Sequence, residues 1–313
     1  MEIKEEIKYK PIDIKQIFME KNPRMAKLIP GFAYAYLRRI LHLDYFNEFL
    51  RNHGNKMGLD FINAAIAEFN VTMEITGKEN IPFTGRYIFV SNHPLGGFDG
   101  MLLMSIIGER FPALKSISND ILMNLKNLAD LFVPVNKHGS QSVEVVKNLE
   151  EVFNSDCQIM TFPAGLVSRR RRGVIKDPPW KKNFITKAIK HQRDIIPINM
   201  NGRCTGFFYN LANLRKFFGI KANIEMFYLP DETYRHRNKH VKVIIGKPIH
   251  WKTFDKRFTP IQWALKMQDY VYSLPESNNR NFEEFLKAEV RNETRRDGIK
   301  NRSMNGVERI EIN

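Results

Sequence analysis

The chain of 313 residues carries a formal net charge of +15 at pH 7, and 43% of its residues are hydrophobic. This composition excludes overall disorder and allows one large core with a smaller appendage. The charge predicts a polyanionic partner, which is nucleic acid, anionic lipid, the phosphates of coenzyme A or an acidic carrier protein, unless the excess of lysine serves only solubility.

Residues 1–70 are predicted to form a helical segment that precedes the main domain. Apolar residues recur at helical spacing in 32–50, with Arg38 and Arg39 on another face, and again in 59–69, which is typical of amphipathic helices. Both stripes either pack onto the core or, in the case of the first, lie on a membrane surface with aromatic rings at the depth of the head groups. In the second case Arg38 and Arg39 are expected to contact the membrane.

A short loop between a buried strand and a helix holds the first candidate site. The apolar residues 87–90 follow a strand predicted at 71–76 and suit a strand that is buried on both faces. The sequence then breaks into SNHPLGGFDG, in which proline and glycine end regular structure before a helix predicted at 101–107. An imidazole accepts a proton near neutral pH, and a carboxylate on its other ring nitrogen fixes the tautomer. We therefore expect His93 and Asp99 to form a catalytic pair across the Gly-Gly turn.

This stretch resembles the first motif of the PlsC-type glycerophospholipid acyltransferases, in which four residues separate Asn-His from Asp. Here five residues separate His93 from Asp99, and we expect a bulge at Gly96 and Gly97 to restore the contact. The pattern HPLGGFDG is similar to a bacterial branch of the family that is associated with acylated aminolipids as well as phospholipids. The resemblance implies that Asn92, Gly96 and Gly97 bind the substrate. We also expect amides of the Gly96-Gly97 turn to donate to the oxyanion.

Three further elements lead to a position where the family carries a basic residue. The pattern predicts a strand at 114–118, a helix at 121–128 and a buried strand at 131–135. Lys137 follows the last of these, where related proteins usually have arginine, so the resemblance implies that it binds the substrate. A lysine supplies a point charge for a phosphate without the bidentate fork of arginine. The alternative is that Lys137 only ends a strand in solvent.

The second motif follows a helix predicted at 140–154 and a strand predicted at 158–162. It reads FPAGLVSR and resembles the family pattern Phe-Pro-Glu-Gly followed by serine and arginine. In related proteins the glutamate is thought to help hold the glycerol of the acceptor. Ala164 stands in its place here, so the resemblance implies that lysophosphatidate is not the acceptor and that a different acceptor is favoured. The matching residues, which the resemblance implies bind the substrate, are Phe162, Pro163, Gly165, Ser168 and Arg169.

A continuous run of four arginines, from Arg169 to Arg172, ends this motif. We expect the run to gather anionic lipid, the phosphates of coenzyme A or an acyl carrier protein. Within it, Arg169 is expected to touch the substrate, and Arg170, Arg171 and Arg172 are expected to touch the membrane or the carrier. The alternative is a solvated charged face.

The rest of the pattern completes the domain. An aromatic helix among these elements is expected to pack in the core, or else to line a tunnel for an acyl chain. From Glu276 onward the chain is charged and is expected to fray. The elements are a helix at 182–192, a strand at 195–199, the aromatic helix at 207–218, strands at 224–227 and 241–245, and a helix from residue 260.

The elements together predict an α/β fold in which helices wrap a central, mostly parallel sheet. The resemblance implies an acyltransferase domain at 71–275, followed by a charged tail at 276–313. It implies transfer of a fatty acyl group from acyl-CoA or acyl carrier protein to a hydroxyl or amine of a membrane lipid precursor, with His93 as general base and without an acyl-enzyme. Two alternatives stay open: a basic lipid-binding protein without activity, and a nucleic-acid-binding protein. The latter is disfavoured because no aromatic residues interleave the arginine run.

Localisation and cofactors follow from what the sequence lacks. Cys157 and Cys204 form neither a disulfide framework nor a metal-binding pair, the N-terminus has no apolar signal core, and no window of about 18 or more residues is apolar enough to span a membrane. We therefore expect a cytoplasmic protein, peripheral on the inner face of the cell membrane, with no metal or redox cofactor. The expected partners are an anionic membrane surface, the acyl donor and the lipid acceptor, and not nucleic acid.

Overall fold

A seven-stranded sheet passes through the middle of the chain and brings the two motifs to one of its edges. The computed structural model describes residues 11–21, 23–119, 126–135, 143–277 and 280–291. The helices are α1 (Ile14–Lys21), α2 (Pro23–Leu28), α3 (Gly31–Ile40), α4 (Leu43–His53), α5 (Gly58–Glu68), α6 (Gly97–Gly108), α7 (Val143–Asn154), α8 (Asn183–His191), α9 (Gly206–Phe217), α10 (Leu229–Arg235), α11 (Pro260–Ser273) and α12 (282–291). The strands are β1 (Thr72–Thr76), β2 (Tyr87–Ser91), β3 (Leu114–Asn119), β4 (Phe132–Val135), β5 (Gln158–Thr161), β6 (Arg169–Arg171), β7 (Val174–Lys176), β8 (Asp194–Met200) and β9 (His240–Ile245).

The order of strands in the sheet confirms the predicted α/β class. The order is β1-β9-β8-β2-β5-β3-β4, and each neighbouring pair is parallel except β8 with β9. Strand β2, which precedes the first motif, lies between β8 and β5, so the carboxyl ends of these three strands meet at one edge. Open α/β sheets place their sites in the loops at this edge. The remaining two strands, β6 and β7, form a separate antiparallel hairpin.

The apolar side chains of strand β2 pack on both faces of the sheet. Ile88 and Val90 pack into a cluster with α8 and α11, whereas Phe89 packs into a second cluster with α5 and α6. None of the three side chains is more than 1% exposed. The sheet is therefore covered on both faces, as the apolar run predicts.

The strand predicted at 224–227 is wrong, because this segment is a short 3₁₀ helix. Three of its four residues, Ile224, Met226 and Phe227, are apolar, which favours a short strand. In the structure the acidic residue is the buried one, since Glu225 is fully buried and Phe227 is 61% exposed. Arg169 and Arg215 hold the carboxylate of Glu225, and this ion pairing sets the local conformation instead of strand pairing.

The predicted fraying of the C-terminal tail is wrong for residues 280–291. Helix α12 buries Phe282, Phe285 and Leu286 to 7% exposure or less. The two aromatic rings pack against Tyr270 of α11, with ring centroids 5.1 and 5.4 Å away. Apolar residues three and four positions apart share one face of a helix, and here that face closes one side of the core.

Some predictions concern residues outside the described part of the chain. Lys137 lies there, as do 292–313 of the tail and the first part of the helix predicted at 121–128. The last part of that helix belongs to a 3₁₀ helix, Lys126–Leu131, which leads into β4.

A carboxylate on α7 ties this helix to α8. Hydrogen bonds from Lys187 and Lys190 lower the pKa of Glu150 from 4.5 to about 2. A carboxyl with a lowered pKa in the folded state stabilises the fold above its ordinary pKa, and this stabilisation is lost as the pH falls toward the folded value. The stabilisation by Glu150 is therefore complete at neutral pH and decreases below about pH 4.5.

We expect Glu150→Gln to lower the free energy of unfolding by about 1 kcal/mol at pH 7, since the ion pairs are partly screened by solvent. The deficit is expected to shrink at about pH 3.5, where the carboxyl of the parent protein approaches its folded pKa. Urea denaturation at both pH values measures it. Glu151→Gln is the control, because Glu151 is 66% exposed and its ion pair spans 3.9 Å. A deficit of equal size at both pH values would contradict the assignment.

Candidate active site

The imidazole of His93 and the carboxylate of Asp99 meet directly after β2, as predicted. Nδ1 of His93 lies 2.8 Å from Oδ2 of Asp99. The same carboxylate accepts the backbone N–H groups of Leu95 and Gly100, each at 3.0 Å. Asp99 is fully buried, whereas the side chain of His93 is 18% exposed. The carboxylate is thus fixed on several sides, and the imidazole reaches the surface.

The extra residue between the two is absorbed at Gly96. This glycine has φ 76° and ψ −130°, a conformation that residues with a side chain rarely adopt. A Cβ atom there would also lie 2.9 Å from Cδ2 of Leu229. Because the chain turns at Gly96, α6 begins at Gly97 and not at residue 101 as predicted, and Asp99 lies in its first turn. A negative charge in the first turn of a helix is stabilised by the helix dipole.

The second nitrogen of His93 is left free for chemistry. With a proton on Nδ1 directed at Asp99, Nε2 carries a lone pair, and it makes no hydrogen bond to any residue that the structure describes. The ring of Phe162 stacks on the imidazole, with centroids 4.1 Å apart and planes 14° apart. Phe162, which the motif predicts to bind substrate, therefore lies against this imidazole.

Asn92 fastens the start of the loop to the neighbouring strand. Its side-chain amide donates to the carbonyl of Met200 at 2.8 Å and accepts the N–H of Met200 at 2.8 Å. The residue is 4% exposed. Both of its polar groups are thus occupied by the end of β8, which makes Asn92 a residue that positions the loop.

The second motif is tied to the first through Asp177, a residue that the sequence analysis missed. Oδ1 of Asp177 accepts the hydroxyl of Ser168 at 2.6 Å and the backbone N–H of His93 at 3.2 Å. Its Oδ2 accepts the indole N–H of Trp180 at 3.0 Å. Burial raises the pKa of Asp177. A signal for it was present, since it is a lone carboxylate at the end of a strongly basic stretch.

Arg169 faces inward and not toward solvent. It is 4% exposed, and its Nη2 lies 3.0 Å from Oε1 of Glu225. The opposite oxygen of Glu225 accepts Nε of Arg215 at 2.8 Å. Burial lowers the pKa of Arg169. The structure therefore places this arginine in a buried cluster of two guanidinium groups around one carboxylate.

The other residues of the second motif shape a turn after β5. The N–H of Gly165 donates to the carbonyl of Phe162 at 2.9 Å, and the carbonyl of Pro163 accepts the N–H of Lys181 at 3.1 Å. Gly165 has φ 66° and is exposed, whereas Ala164 is buried. The turn thus lies beside the loop of His93, because β5 and β2 are paired neighbours.

The rest of the arginine run forms the tip of the hairpin made by β6 and β7, which we call the basic hairpin (residues 169–176). Arg170 donates to Asn210 on α9. Arg171 and Arg172 are exposed and make no ion pair with the residues that the structure describes. The basic hairpin therefore presents uncompensated positive charge next to α9.

Exposed aromatic side chains lie on α3, on α9 and on the segment between α9 and α10, which we call the aromatic surface. The hydroxyl groups of Tyr36 and Tyr228 are 2.7 Å apart, and the ring of Phe207 contacts Tyr228 with centroids 4.9 Å apart. Core packing, one of the two interpretations of the first amphipathic stripe, is wrong for α3, which buries none of its residues. Arg39 is exposed there, and Arg38 pairs with Asp44. The aromatic surface comprises Phe32, Tyr36, Phe207, Phe217, Phe218 and Phe227, which are 50% to 82% exposed.

The part of the chain that the structure describes contains neither a membrane-spanning helix nor a group of metal ligands. None of the helices in this part has the length and apolar character needed to cross a membrane. No three histidine, cysteine or acidic residues in it are grouped so that they would hold a metal ion.

Comparison with known proteins gives consistent matches. A family model described as Acyltransferase matches residues 16–269. The chain is 48% identical over 264 residues to the lyso-glycine lipid O-acyltransferase of Bacteroides thetaiotaomicron, which covers 84% of this chain and 97% of that protein. It is 49% identical over 264 residues to the protein of the same name from Phocaeicola vulgatus, which covers 84% and 95%. Its structure is similar to the crystal structure of the 1-acyl-sn-glycerophosphate acyltransferase PlsC from Thermotoga maritima, with a TM-score of 0.44, 14% identity, and coverage of 77% of this chain and 95% of that one.

Proposed function

We propose, given that this chain belongs to the acyltransferase family, that it transfers a fatty acyl group from a thioester to the hydroxyl of a lyso-lipid with an amino acid head group. The observation that carries the proposal is the pair of His93 and Asp99 with a free Nε2 at the surface. The names of the two relatives support an oxygen as the atom that is acylated. The donor is acyl-CoA or acyl carrier protein.

The reaction that this geometry supports is a direct transfer. Nε2 of His93 removes the proton of the acceptor hydroxyl while the oxygen attacks the thioester carbonyl. The carbon–sulfur bond then breaks, and the leaving thiolate takes the proton from the imidazolium. Asp99 stabilises the imidazolium and holds the tautomer. The N–H of Gly97 makes no hydrogen bond to a described residue and is available to the oxyanion.

The second motif supports an acceptor other than lysophosphatidate. Ala164 is 3% exposed and stands where the family pattern has glutamate, so no carboxylate is available there to hold a glycerol hydroxyl. Arg169 points into the interior, which removes a cation that a phosphate head group would need. An acceptor with a glycine head group, as in the names of the relatives, fits this arrangement better than a phosphate ester.

The test is a transfer assay with purified protein. Acyl-CoA and acyl carrier protein are each combined with lyso-glycine lipid or with lysophosphatidate, release of the thiol is measured, and the product is identified by mass spectrometry. We expect an ester of the lyso-glycine lipid and little turnover of lysophosphatidate. An amide product, or a preference for lysophosphatidate, would contradict the proposed acceptor. Binding of lipid vesicles without thiol release would favour the alternative of a non-catalytic lipid-binding protein.

We propose an anionic membrane, at the inner face of the cell membrane, as the surface on which this reaction occurs. The aromatic surface provides rings that insert among head groups, and the basic hairpin lies beside it, since α9 packs against β6. Exposed apolar patches rimmed by cations are typical of membrane contacts.

Reversing two charges of the basic hairpin should separate this proposal from a merely solvated surface. We expect Arg171→Glu with Arg172→Glu to weaken binding to vesicles containing phosphatidylglycerol by about tenfold or more, since each basic residue contributes about 1 kcal/mol near an anionic surface. Vesicle sedimentation at two salt concentrations measures the binding. The control is Lys247→Glu with Lys252→Glu, the same charge change at exposed positions after β9, on the opposite edge of the sheet. Equal weakening by both pairs would contradict the proposal.

A further inference from the structure

A cleft of about 520 Å³ lies between the segment that follows β8 and the segment that joins α10 to β9. Four of its ten lining residues are basic, namely Arg203, Arg235, Arg237 and Lys239, and Glu232 is its acidic residue. The cleft is distinct from the pair of His93 and Asp99, neither of which lines it. The residues that line it have no role in the proposed transfer step.

The positive charge of the cleft is largely uncompensated. Within the described residues, Arg203, Arg237 and Lys239 form no ion pair. Glu232 is 1% exposed, and its carboxylate is occupied by the N–H and hydroxyl groups of Thr205. Three like charges beside a cleft repel one another and attract an anion. The cleft is therefore prepared for a negatively charged ligand.

The lining of the cleft also contains a buried histidine. His236 is 8% exposed, and its Nε2 is buried without a hydrogen-bond partner among the described residues. An unpaired buried polar atom costs free energy, and this one belongs to a residue that lines the cleft. Burial lowers the pKa of His236. Because this atom has almost no exposed surface, a ligand in the cleft does not reach it, and an anion there would be bound by the basic side chains of the lining.

The cleft adjoins the loop that carries His93. The thiol of Cys204, which lines the cleft, donates to the carbonyl of Pro94 at 3.4 Å. His236 stacks near Phe98 at the start of α6, with centroids 6.1 Å apart. Acyl-CoA has its phosphates at one end of a long pantetheine arm and its thioester at the other, so its phosphates are expected to bind near the base and not at it.

We propose that this cleft binds the phosphate groups of the thioester donor, with Arg203 and Lys239 as their partners. The identity of the ligand rests on the proposed acyl transfer, whereas the binding of a phosphate-bearing anion does not. Coenzyme A carries its phosphates on a nucleotide, and 3′,5′-ADP is the part of it that contains no thiol. This compound is therefore the probe, and inorganic phosphate is the comparison.

The test measures binding in the full chain with His93→Ala, so that no turnover is involved. We expect calorimetry to show that 3′,5′-ADP binds more tightly than inorganic phosphate. Arg203→Gln with Lys239→Gln is expected to weaken its binding about tenfold, because two charge-assisted contacts are lost. The matched control, Lys247→Gln with Lys252→Gln, is expected to leave it unchanged. Absence of binding, equal affinity for both probes, or equal weakening by the control would overturn the proposal.

Kinetics separate this inference from the proposed function. With His93 intact, the Arg203→Gln and Lys239→Gln protein is expected to show a higher KM for acyl-CoA and an unchanged KM for the lipid acceptor. A rise in the KM for the acceptor alone would overturn the inference, since the cleft would then hold the head group. A protein that binds 3′,5′-ADP at this cleft but transfers no acyl group to any acceptor would instead contradict the proposed function.

Discussion

Replacing His93 by alanine is expected to lower the rate of acyl transfer by about 10³-fold or more, because in the proposed mechanism the acceptor hydroxyl loses the base that removes its proton. Asp99→Asn is expected to have an effect of the same order, since an amide at this position no longer fixes the tautomer that leaves Nε2 free. Thiol release under single-turnover conditions measures both rates. Circular dichroism and the unfolding midpoint show whether each variant is folded.

The double variant decides whether the two residues act together. Groups that act as one unit give effects that do not add, so the protein with both changes is expected to be about as slow as His93→Ala alone. Two effects that multiply would show that Asp99 acts independently of the imidazole. Transfer at the parent rate by folded His93→Ala would remove the basis of the proposed mechanism.

Replacing Glu225 by glutamine is expected to give the largest loss of stability, about 3–5 kcal/mol in the free energy of unfolding, because two buried guanidinium groups lose their only negative partner within the described residues. Glutamine keeps nearly the same shape and still offers one oxygen, so the loss reports the missing charge. Urea denaturation at pH 7 measures it.

An exposed ion pair provides the control for this variant. Glu109 is 50% exposed and pairs with Lys78, so Glu109→Gln is expected to change the free energy of unfolding by about 1 kcal/mol or less. A comparably small effect of Glu225→Gln would mean that Arg169 and Arg215 find other partners. The cluster would then contribute little to the free energy of unfolding.

The local motifs could be read from the sequence because their partners are close along the chain. His93 and Asp99 are separated by one turn and the start of a helix. Glycines at this turn indicated where the fifth residue between them is accommodated. Strand β2 was found because it is a short apolar run that ends near proline and glycine residues, and β1 was found because apolar and polar residues alternate in it. Here local chemistry and the final fold agree, as they do in most natural sequences.

Contacts between distant residues could not be read in the same way. Glu225 pairs with Arg169, 56 positions away, and Asp177 accepts the N–H of His93, 84 positions away. A carboxylate such as that of Glu225 is most simply interpreted as solvent-exposed, and only the fold reveals that two cations enclose it. By contrast, Phe282 and Phe285 had the spacing of a helix face, and the surrounding charges led to the wrong prediction of a fraying tail.

One carboxylate also links the proposed membrane contact to the proposed site of proton transfer. Asp177 accepts both the hydroxyl of Ser168 and the N–H of His93. Ser168 directly precedes the basic hairpin and Asp177 directly follows it, and His93 carries the proposed proton acceptor. The arginines that would meet the head groups and the nitrogen that would take the proton are therefore connected through one carboxylate. In the proposed reaction, this connection would hold a lipid gathered by the arginines at one depth relative to the nitrogen, whatever its tail.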